Sequence, residues 1–241
     1  MLYKTAGIVL KTSNYAENSV IAKIYTEKFG LQAYIINGVK KPKAKIRMNM
    51  LQPLSLLDMV VYHKQNAGIQ RIAEASPSPI LLSIPYHIVK SSVALFLNEM
   101  LYKSLKQPNH EPLLFNFLTN SILYLDQTED KCKNYALVFL LKLTRFLGFS
   151  PDMSFADTAT YFDLNNGIFV NSTPHHTQFL DKNNLKNWLK ILRCSLTETY
   201  LLVLSASDRK FFLEKILCYY AIHIDGFGEV KSHLVLEEVL N

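Results

Sequence analysis

The chain has 241 residues, of which 49% are hydrophobic and 19% charged, and its net charge is +6. This composition excludes a chain that is disordered throughout, and the length is enough for one large domain or two small ones with cores of their own. Three cysteines without a CxxC pair argue against both a disulfide framework and a cysteine zinc site.

Residues 1–80 carry the pattern of β-strands. Turn-forming residues separate five stretches rich in β-branched and aromatic side chains, at 6–15, 18–26, 31–39, 51–63 and 69–75. Five strands in so short a segment favour a small closed barrel, and the five-stranded OB-fold is the commonest barrel of that size. The predicted fold class is therefore α+β with several domains, an N-terminal OB-fold β-barrel being followed by an all-α helical domain.

A proline-rich stretch marks the predicted domain boundary. Residues 76–85, SPSPILLSIP, hold three prolines, which the interior of a helix or strand does not accommodate. The predicted domains are therefore 1–80 for the barrel and 81–241 for the helical part.

Beyond this boundary the spacing of apolar residues becomes helical. Gly148 is the predicted end of the third helix, because glycine favours the left-handed conformation in which helices often stop. The helical stretches cover 89–105, 113–125 and 133–149.

The last third mixes a polar insertion with further helices. Residues 150–180 are turn-rich, and NNG at 165–167 predicts a hairpin. Two more helices are predicted, with Asp181 and Ser207 as their N-caps. The apolar face of the first is predicted to contain Leu185, Leu189 and Leu192.

The positive charge is concentrated near the N-terminus. Residues 1–80 contain 11 of the 26 Lys and Arg residues but 4 of the 20 Asp and Glu residues. Such asymmetry indicates a module that binds a polyanion, joined to a nearly neutral body. Within it, NGVKKPKAKIRMN at 37–49 has five cations and no acid, namely Lys40, Lys41, Lys43, Lys45 and Arg47.

This basic stretch has two interpretations. A run of charges is often only a solvated surface. Here, however, no acid stands within the stretch to neutralise the cations, and a loop between strands of an OB-fold can border its binding face. Cations that neutralise phosphates and aromatic rings that stack on bases are what single-strand binding needs. The further candidate contacts are Lys11, Lys23 and Tyr34, and Tyr15 and Tyr25 are alternative stacking surfaces.

Signatures of catalysis are missing. The chain has no GxxxxGK[ST], GxGxxG, HExxH or GxSxG motif. His175, His176, Asp157 and Asp163 are better explained as polar loop residues and turn formers than as metal ligands. No catalytic residue, metal or cofactor is predicted, and the protein is not expected to be an enzyme. A metal-dependent nuclease is the enzymatic alternative.

Residues 7–62 resemble the N-terminal barrel of the bacterial DNA-repair family RecO. The shared pattern has GIVL in the first strand, T-x-x-x-G before the third strand, a G-[AV]-[RK]-[RK]-x-[KR] loop, and LQP ahead of the fourth. All four motifs occur here in order, and the layout of a proline-rich junction followed by helices agrees over most of the remaining chain.

The resemblance implies a recombination mediator. Such a protein binds single- and double-stranded DNA, anneals complementary strands, and works with RecR to load the recombinase RecA onto strands covered by single-strand-binding protein. The acidic C-terminal tail of that protein is implied to dock on the helical domain. An RNA-binding OB-fold protein is the alternative, because the same basic loop would hold RNA phosphates.

One feature departs from the family pattern. Many members carry a four-cysteine zinc module in the helical domain, whereas residues 133–193 of this chain contain no cysteine. YFDLNNG at 161–167 resembles the core of that module. We therefore expect a degenerate, metal-free version at 150–180, organised by polar and aromatic residues.

Lys142 and Arg145 are the predicted contacts for the acidic tail. They lie beside apolar residues in LLKLTRFLGF, a combination that suits a hydrophobic peptide ending in a carboxylate. The alternative is that both cations extend from a core helix into solvent. Because they interrupt the richest apolar run, and because the N-terminus lacks a signal-peptide pattern, a cytoplasmic, nucleoid-associated protein is expected.

Overall fold

Five strands of the N-terminal part close into a barrel, in the order β1-β2-β3-β5-β4. The pairs are antiparallel except β3 with β5, whose parallel pairing closes the barrel. This arrangement confirms the predicted OB-fold. The strands are β1 (Leu2–Ala16), β2 (Ser19–Thr26), β3 (Gly30–Asn37), β4 (Leu56–Tyr62) and β5 (Gln70–Pro77). The computed structural model describes residues 1–65, 67–106, 110–129 and 132–240.

The barrel interior follows from the alternation of side chains along the strands. On β3, Tyr34 and Ile36 point inward, and on β2 the same is true of Val20, Ala22 and Ile24. Three residues from the segment between β3 and β4 also belong to this interior cluster, namely Val39, Ile46 and Leu51. That segment therefore closes one end of the barrel, and it contains a short 3-10 helix over Met48–Leu51.

A second apolar layer covers part of the outer wall of the barrel. Ile8, Leu10 and Tyr25 are buried but do not belong to the interior cluster. The helices α1 (Ile88–Ser104) and α2 (Pro112–Gln127) pack in the same compact unit, Met1–Thr128. Asn98 of α1 donates a hydrogen bond to the carbonyl of Leu10 (2.7 Å), and the ring of Phe115 on α2 stacks on Tyr25.

The proline-rich segment between β5 and α1 is held by two buried charged side chains. The carboxylate of Asp126 accepts hydrogen bonds from the backbone N–H groups of Leu82, Ser83 and Ile84, at 2.7–2.8 Å. The ammonium of Lys90 donates to the Ser83 hydroxyl and to the carbonyls of Asp126 and Thr128. These hydrogen bonds join α1 and α2 to the segment that follows the barrel. The predicted domain boundary at residue 80 therefore stays a proposal.

The second compact unit is Glu129–Asn241. Its helices are α3 (Tyr135–Leu147), α4 (Lys182–Arg193), α5 (Ala206–His223) and α6 (Ser232–Leu240). A three-stranded sheet of order β7-β6-β8 lies between α3 and α4 in the sequence. Its strands are β6 (Tyr161–Asp163), β7 (Ile168–Val170) and β8 (Phe179–Leu180). The predicted hairpin is thus confirmed as β6–β7, with β8 as an additional strand.

Two helix ends agree with the sequence and one differs. Gly148 ends α3 in the left-handed conformation (φ 85°), and Asp181 caps α4 by accepting from the N–H of Asn184. The predicted cap Ser207 is wrong, because Ser205 caps α5 and forms a reciprocal capping box with Asp208. The buried face of α4 is also rotated from the predicted one and consists of Leu185, Trp188 and Ile191.

In the described part of the chain, no helix combines the length and the hydropathy that a membrane crossing requires.

Candidate nucleic-acid interface

The basic loop, residues 38–47, is built so that its cations face solvent. Gly38 turns the chain with a positive φ of 74°, and the N–H of Lys41 then bonds to the Gly38 carbonyl (3.1 Å). The side chains of Val39 and Ile46 are buried at the two ends of the loop. Because these two anchors occupy the end of the barrel, the residues between them are directed outward. The exposed cations are Lys40, Lys41, Lys43, Lys45 and Arg47.

These five cations lack acidic partners. Within the described residues, none of the five lies within ion-pair distance of a carboxylate; the recorded pairs involve His176, Arg193 and Lys210. A cluster of like charges that is not neutralised by the protein attracts anions, and the attraction weakens with salt. The loop therefore presents a positive surface at one end of the OB-fold.

Lys11 and Lys23 lie elsewhere on the barrel. They are direct partners on β1 and β2, and both approach the ring of Tyr102 on α1, with ammonium-to-centroid distances of 4.6 and 5.4 Å. The structure thus brings the two lysines together. Sequence reasoning missed Tyr102, since no local pattern links a residue near the end of α1 to a residue of β1.

Tyr34 is a correction to the predicted site. Its side chain is 0% exposed inside the barrel, where burial raises its pKa far above the usual value. A base cannot stack on this ring without opening the barrel.

Tyr25 is also buried, and burial together with the charge of Glu111 raises its pKa to about 12. Tyr15 is 61% exposed and precedes the turn whose Asn18 carbonyl accepts from the N–H of Val39.

In the second unit, a carboxylate organises the hairpin. Asp163 accepts hydrogen bonds from the N–H groups of Asn165 and Asn166 and from the Asn166 side-chain amide, at 2.8–3.2 Å. His176 Nε2 lies 3.2 Å from the same carboxylate, and its Nδ1 accepts from the N–H of Gln178. Burial alone would raise the pKa of Asp163, but these hydrogen bonds and the charge of His176 outweigh it and lower the pKa.

We expect Asp163→Ala to reduce the free energy of unfolding by roughly 1–3 kcal/mol, because two backbone N–H groups and one side-chain amide lose a charged acceptor. A lowered pKa in the folded state means that the contribution is present above about pH 4 and is lost as the pH falls through the folded value. The difference between wild type and variant should therefore shrink in acid. Urea unfolding followed by fluorescence of the single tryptophan, Trp188, whose ring packs on Phe162, measures this.

Asp157→Ala is the matched control for this prediction. Asp157 bonds to Arg193 at 2.6 Å, but both side chains are more than half exposed, and such surface pairs contribute little. Equal losses in the two variants, or a loss from Asp163→Ala that does not change with pH, would contradict the assigned role.

Lys142 and Arg145 have different environments on α3. The ammonium of Lys142 donates to the carbonyl of Leu192 in the last turn of α4 (2.7 Å), and burial lowers its pKa, partly offset by Cys194. Arg145 is exposed. Lys142 therefore already has a structural role at the C-terminal end of α4, where a cation is favourable.

No metal centre was found among the described residues, in which no three His, Cys, Asp or Glu side chains come together as ligands. The two adjacent histidines have different environments, because His175 is exposed whereas His176 is half-buried against Asp163.

Comparison with known proteins covers both units. One family model, described as Recombination protein O N terminal, matches residues 1–79, and another, Recombination protein O C terminal, matches 85–232. The chain is 36% identical over 243 residues to the DNA repair protein RecO of Azobacteroides pseudotrichonymphae and 33% identical over 242 residues to that of Bacteroides fragilis. It is also 27% identical over 245 residues to the DNA repair protein RecO of Porphyromonas gingivalis, and each match covers 100% of both chains.

Proposed function

The chain belongs to the RecO family of DNA repair proteins, and from this membership we propose that it is a non-enzymatic recombination mediator. In this proposal it binds single- and double-stranded DNA, anneals complementary strands, and cooperates with RecR to load recombinase onto strands covered by single-strand-binding protein. It acts in the cytoplasm, in association with the nucleoid.

The observation that carries the proposal is the unpaired charge of the basic loop. Five exposed cations at the end of an OB-fold are suited to a polyanion, because no carboxylate in the described part of the chain pairs with them. Contacts to phosphates position a strand but read no sequence. Binding is therefore sequence-independent and steeply dependent on salt.

Annealing follows from the same property. Two complementary strands repel each other through their phosphates, and a cationic surface that holds both lowers this repulsion while the bases stay free to pair. No covalent bond is made or broken, so no catalytic group is required.

A strand-annealing assay with two labelled complementary oligonucleotides tests the proposal. We expect the protein to accelerate duplex formation at low salt, also when the strands are first covered with single-strand-binding protein, and to lose the effect as salt is raised. Acceleration equal to that given by polylysine of matched charge, or no acceleration at all, would contradict a dedicated annealing function. Loss of labelled DNA that depends on added divalent metal would instead support a nuclease.

Arg145 carries the part of the proposal that concerns the acidic tail of single-strand-binding protein. Its exposed guanidinium, on a helix rich in apolar residues, suits a peptide carboxylate. Arg145→Glu should weaken binding of a labelled acidic tail peptide about tenfold, whereas Lys186→Glu, an exposed reversal on α4, should leave it unchanged. Equal affinities of the two variants in a fluorescence titration would remove Arg145 from this role.

A further inference from the structure

Two lysines of the barrel wall converge on one aromatic ring. Lys11 and Lys23 occupy directly opposed positions on β1 and β2. Their ammonium groups lie 4.6 and 5.4 Å from the centroid of the Tyr102 ring, instead of diverging into solvent. Like charges at opposed positions of an antiparallel pair repel each other, so this arrangement is unfavourable without a compensating partner.

The neighbouring positions on the sheet supply no negative charge. Lys23 pairs on its other side with Ala33 of β3, and the residues two positions away on β2 are Ile21 and Tyr25. In the described part of the chain, neither lysine forms an ion pair. Lys4 and Lys28 also form no ion pair among the described residues, but they line a groove of the same barrel together with three carboxylates, those of Glu27, Asp58 and Glu74.

The aromatic ring compensates only part of the repulsion. The ring face attracts both ammonium groups, but the ring carries no net charge and therefore cannot neutralise them. In the described residues no carboxylate lies within ion-pair distance of the two ammonium groups, so an anion bound from outside would complete the cluster. The positive potential at the phenol is also visible in the pKa of Tyr102: burial alone would raise it, but the charges of Lys23 and Lys11 and their hydrogen bonds lower it.

We propose that Lys11, Lys23 and Tyr102 form a cradle for one phosphate group of a bound nucleic-acid strand. The two ammonium groups supply charge and hydrogen-bond donors, and the Tyr102 hydroxyl supplies a third donor. This cradle rests on the proposed DNA binding and extends it, because it adds helix α1 to the binding surface and gives the strand a contact that is not part of the basic loop.

The competing explanation is structural. In that case the lysines only pin α1 to the barrel through the ring, and removing them should loosen the packing. The two explanations predict opposite changes in stability. For a cradle, Lys11→Gln relieves repulsion, so the melting temperature at low salt stays the same or rises. For a pin, the melting temperature falls.

The test compares two double variants of the full chain with equal loss of charge. Lys11→Gln/Lys23→Gln removes the cradle, and Lys4→Gln/Lys28→Gln removes two exposed lysines of the same barrel. Binding of labelled oligothymidylate is measured against salt concentration. We expect the first pair to lower affinity about tenfold at moderate salt and to reduce the slope of log affinity against log salt by about 0.7 for each lost contact. The second pair should change both far less. Tyr102→Phe, which keeps the ring, should lower affinity two- to threefold without lowering the melting temperature.

The remaining outcomes overturn the cradle in distinguishable ways. Equal losses in the two double variants mean that only net charge matters. An unchanged Lys11→Gln/Lys23→Gln variant, with wild type still binding, rejects the cradle and leaves the proposed function standing. Lower melting temperature with unchanged affinity identifies a structural pin. If wild type does not bind the oligonucleotide, the proposed function fails and the cradle fails with it.

Discussion

Reversing three charges of the basic loop, with Lys40→Glu, Lys41→Glu and Lys43→Glu, should weaken binding of single-stranded DNA on the order of a hundredfold near 0.1 M salt. Each reversal removes a cation that has no acidic partner among the described residues and adds a charge that repels phosphate. Fluorescence anisotropy of a labelled oligonucleotide, titrated at several salt concentrations, measures the effect. The salt dependence should also become shallower, since fewer counterions are released on binding.

A second triple variant controls for net charge. Lys182→Glu, Lys186→Glu and Lys190→Glu reverse three exposed positions on α4, in the other compact unit. Because the loop lysines are exposed and unpaired, neither variant should lose more than a few degrees of melting temperature. Equal weakening by both variants, or an unaltered salt slope in the loop variant, would remove the basic loop as the phosphate-binding element.

Asp126→Ala should produce the largest loss of stability. Its carboxylate accepts three backbone N–H groups, and the residue is 8% exposed. Removing it leaves these donors without an acceptor, at a cost of about 3 kcal/mol or more. Thermal unfolding of the full chain, followed by far-ultraviolet circular dichroism, should show the first transition at a lower temperature than in wild type.

Asp58→Ala is the matched control for this change. Asp58 is an exposed carboxylate on β4 of the same unit, so its removal should change the melting temperature little. A second variant, Lys90→Met, removes the donor to the Ser83 hydroxyl and to the carbonyls of Asp126 and Thr128, and it should destabilise in the same direction. If Asp126→Ala and the Asp58→Ala control have the same melting temperature, the segment is held by packing alone.

The barrel was predictable because the strand pattern is local, but the inside of the barrel was not. The alternation on β3 shows that Tyr34 and Ile36 lie on the same face of the strand. It does not show that this face is interior, because both faces carry apolar residues. Which face is interior depends on how the five strands close. In β1 the run Ile8–Leu10 conceals the alternation altogether, since one face is buried inside the barrel and the other under α1.

In the helical part, the predicted N-cap of α5 was wrong and the hydrogen bond of Lys142 was missed, because both depend on more than one local pattern. Ser205 and Ser207 both fit an N-cap, and the local signal that separates them is Asp208, three residues after Ser205, which completes the capping box. The bond from Lys142 to Leu192 could not be foreseen, because it joins residues 50 positions apart and depends on where α4 ends. By contrast, the exposure of the loop cations was predictable, because the two apolar anchors enclose only four lysines, one proline and one alanine.

The outer apolar layer has a consequence for how this chain can evolve and be divided. A fragment that ended at residue 80 would expose the side chains of Ile8, Leu10 and Tyr25 to solvent. Such an exposed apolar patch would make the fragment prone to aggregate. The barrel is thus not a portable module that can be fused elsewhere by itself. Its transferable form includes α1 and α2 and ends near Thr128. Gene fusions and domain exchanges that keep this longer piece intact are the ones expected to yield folded proteins.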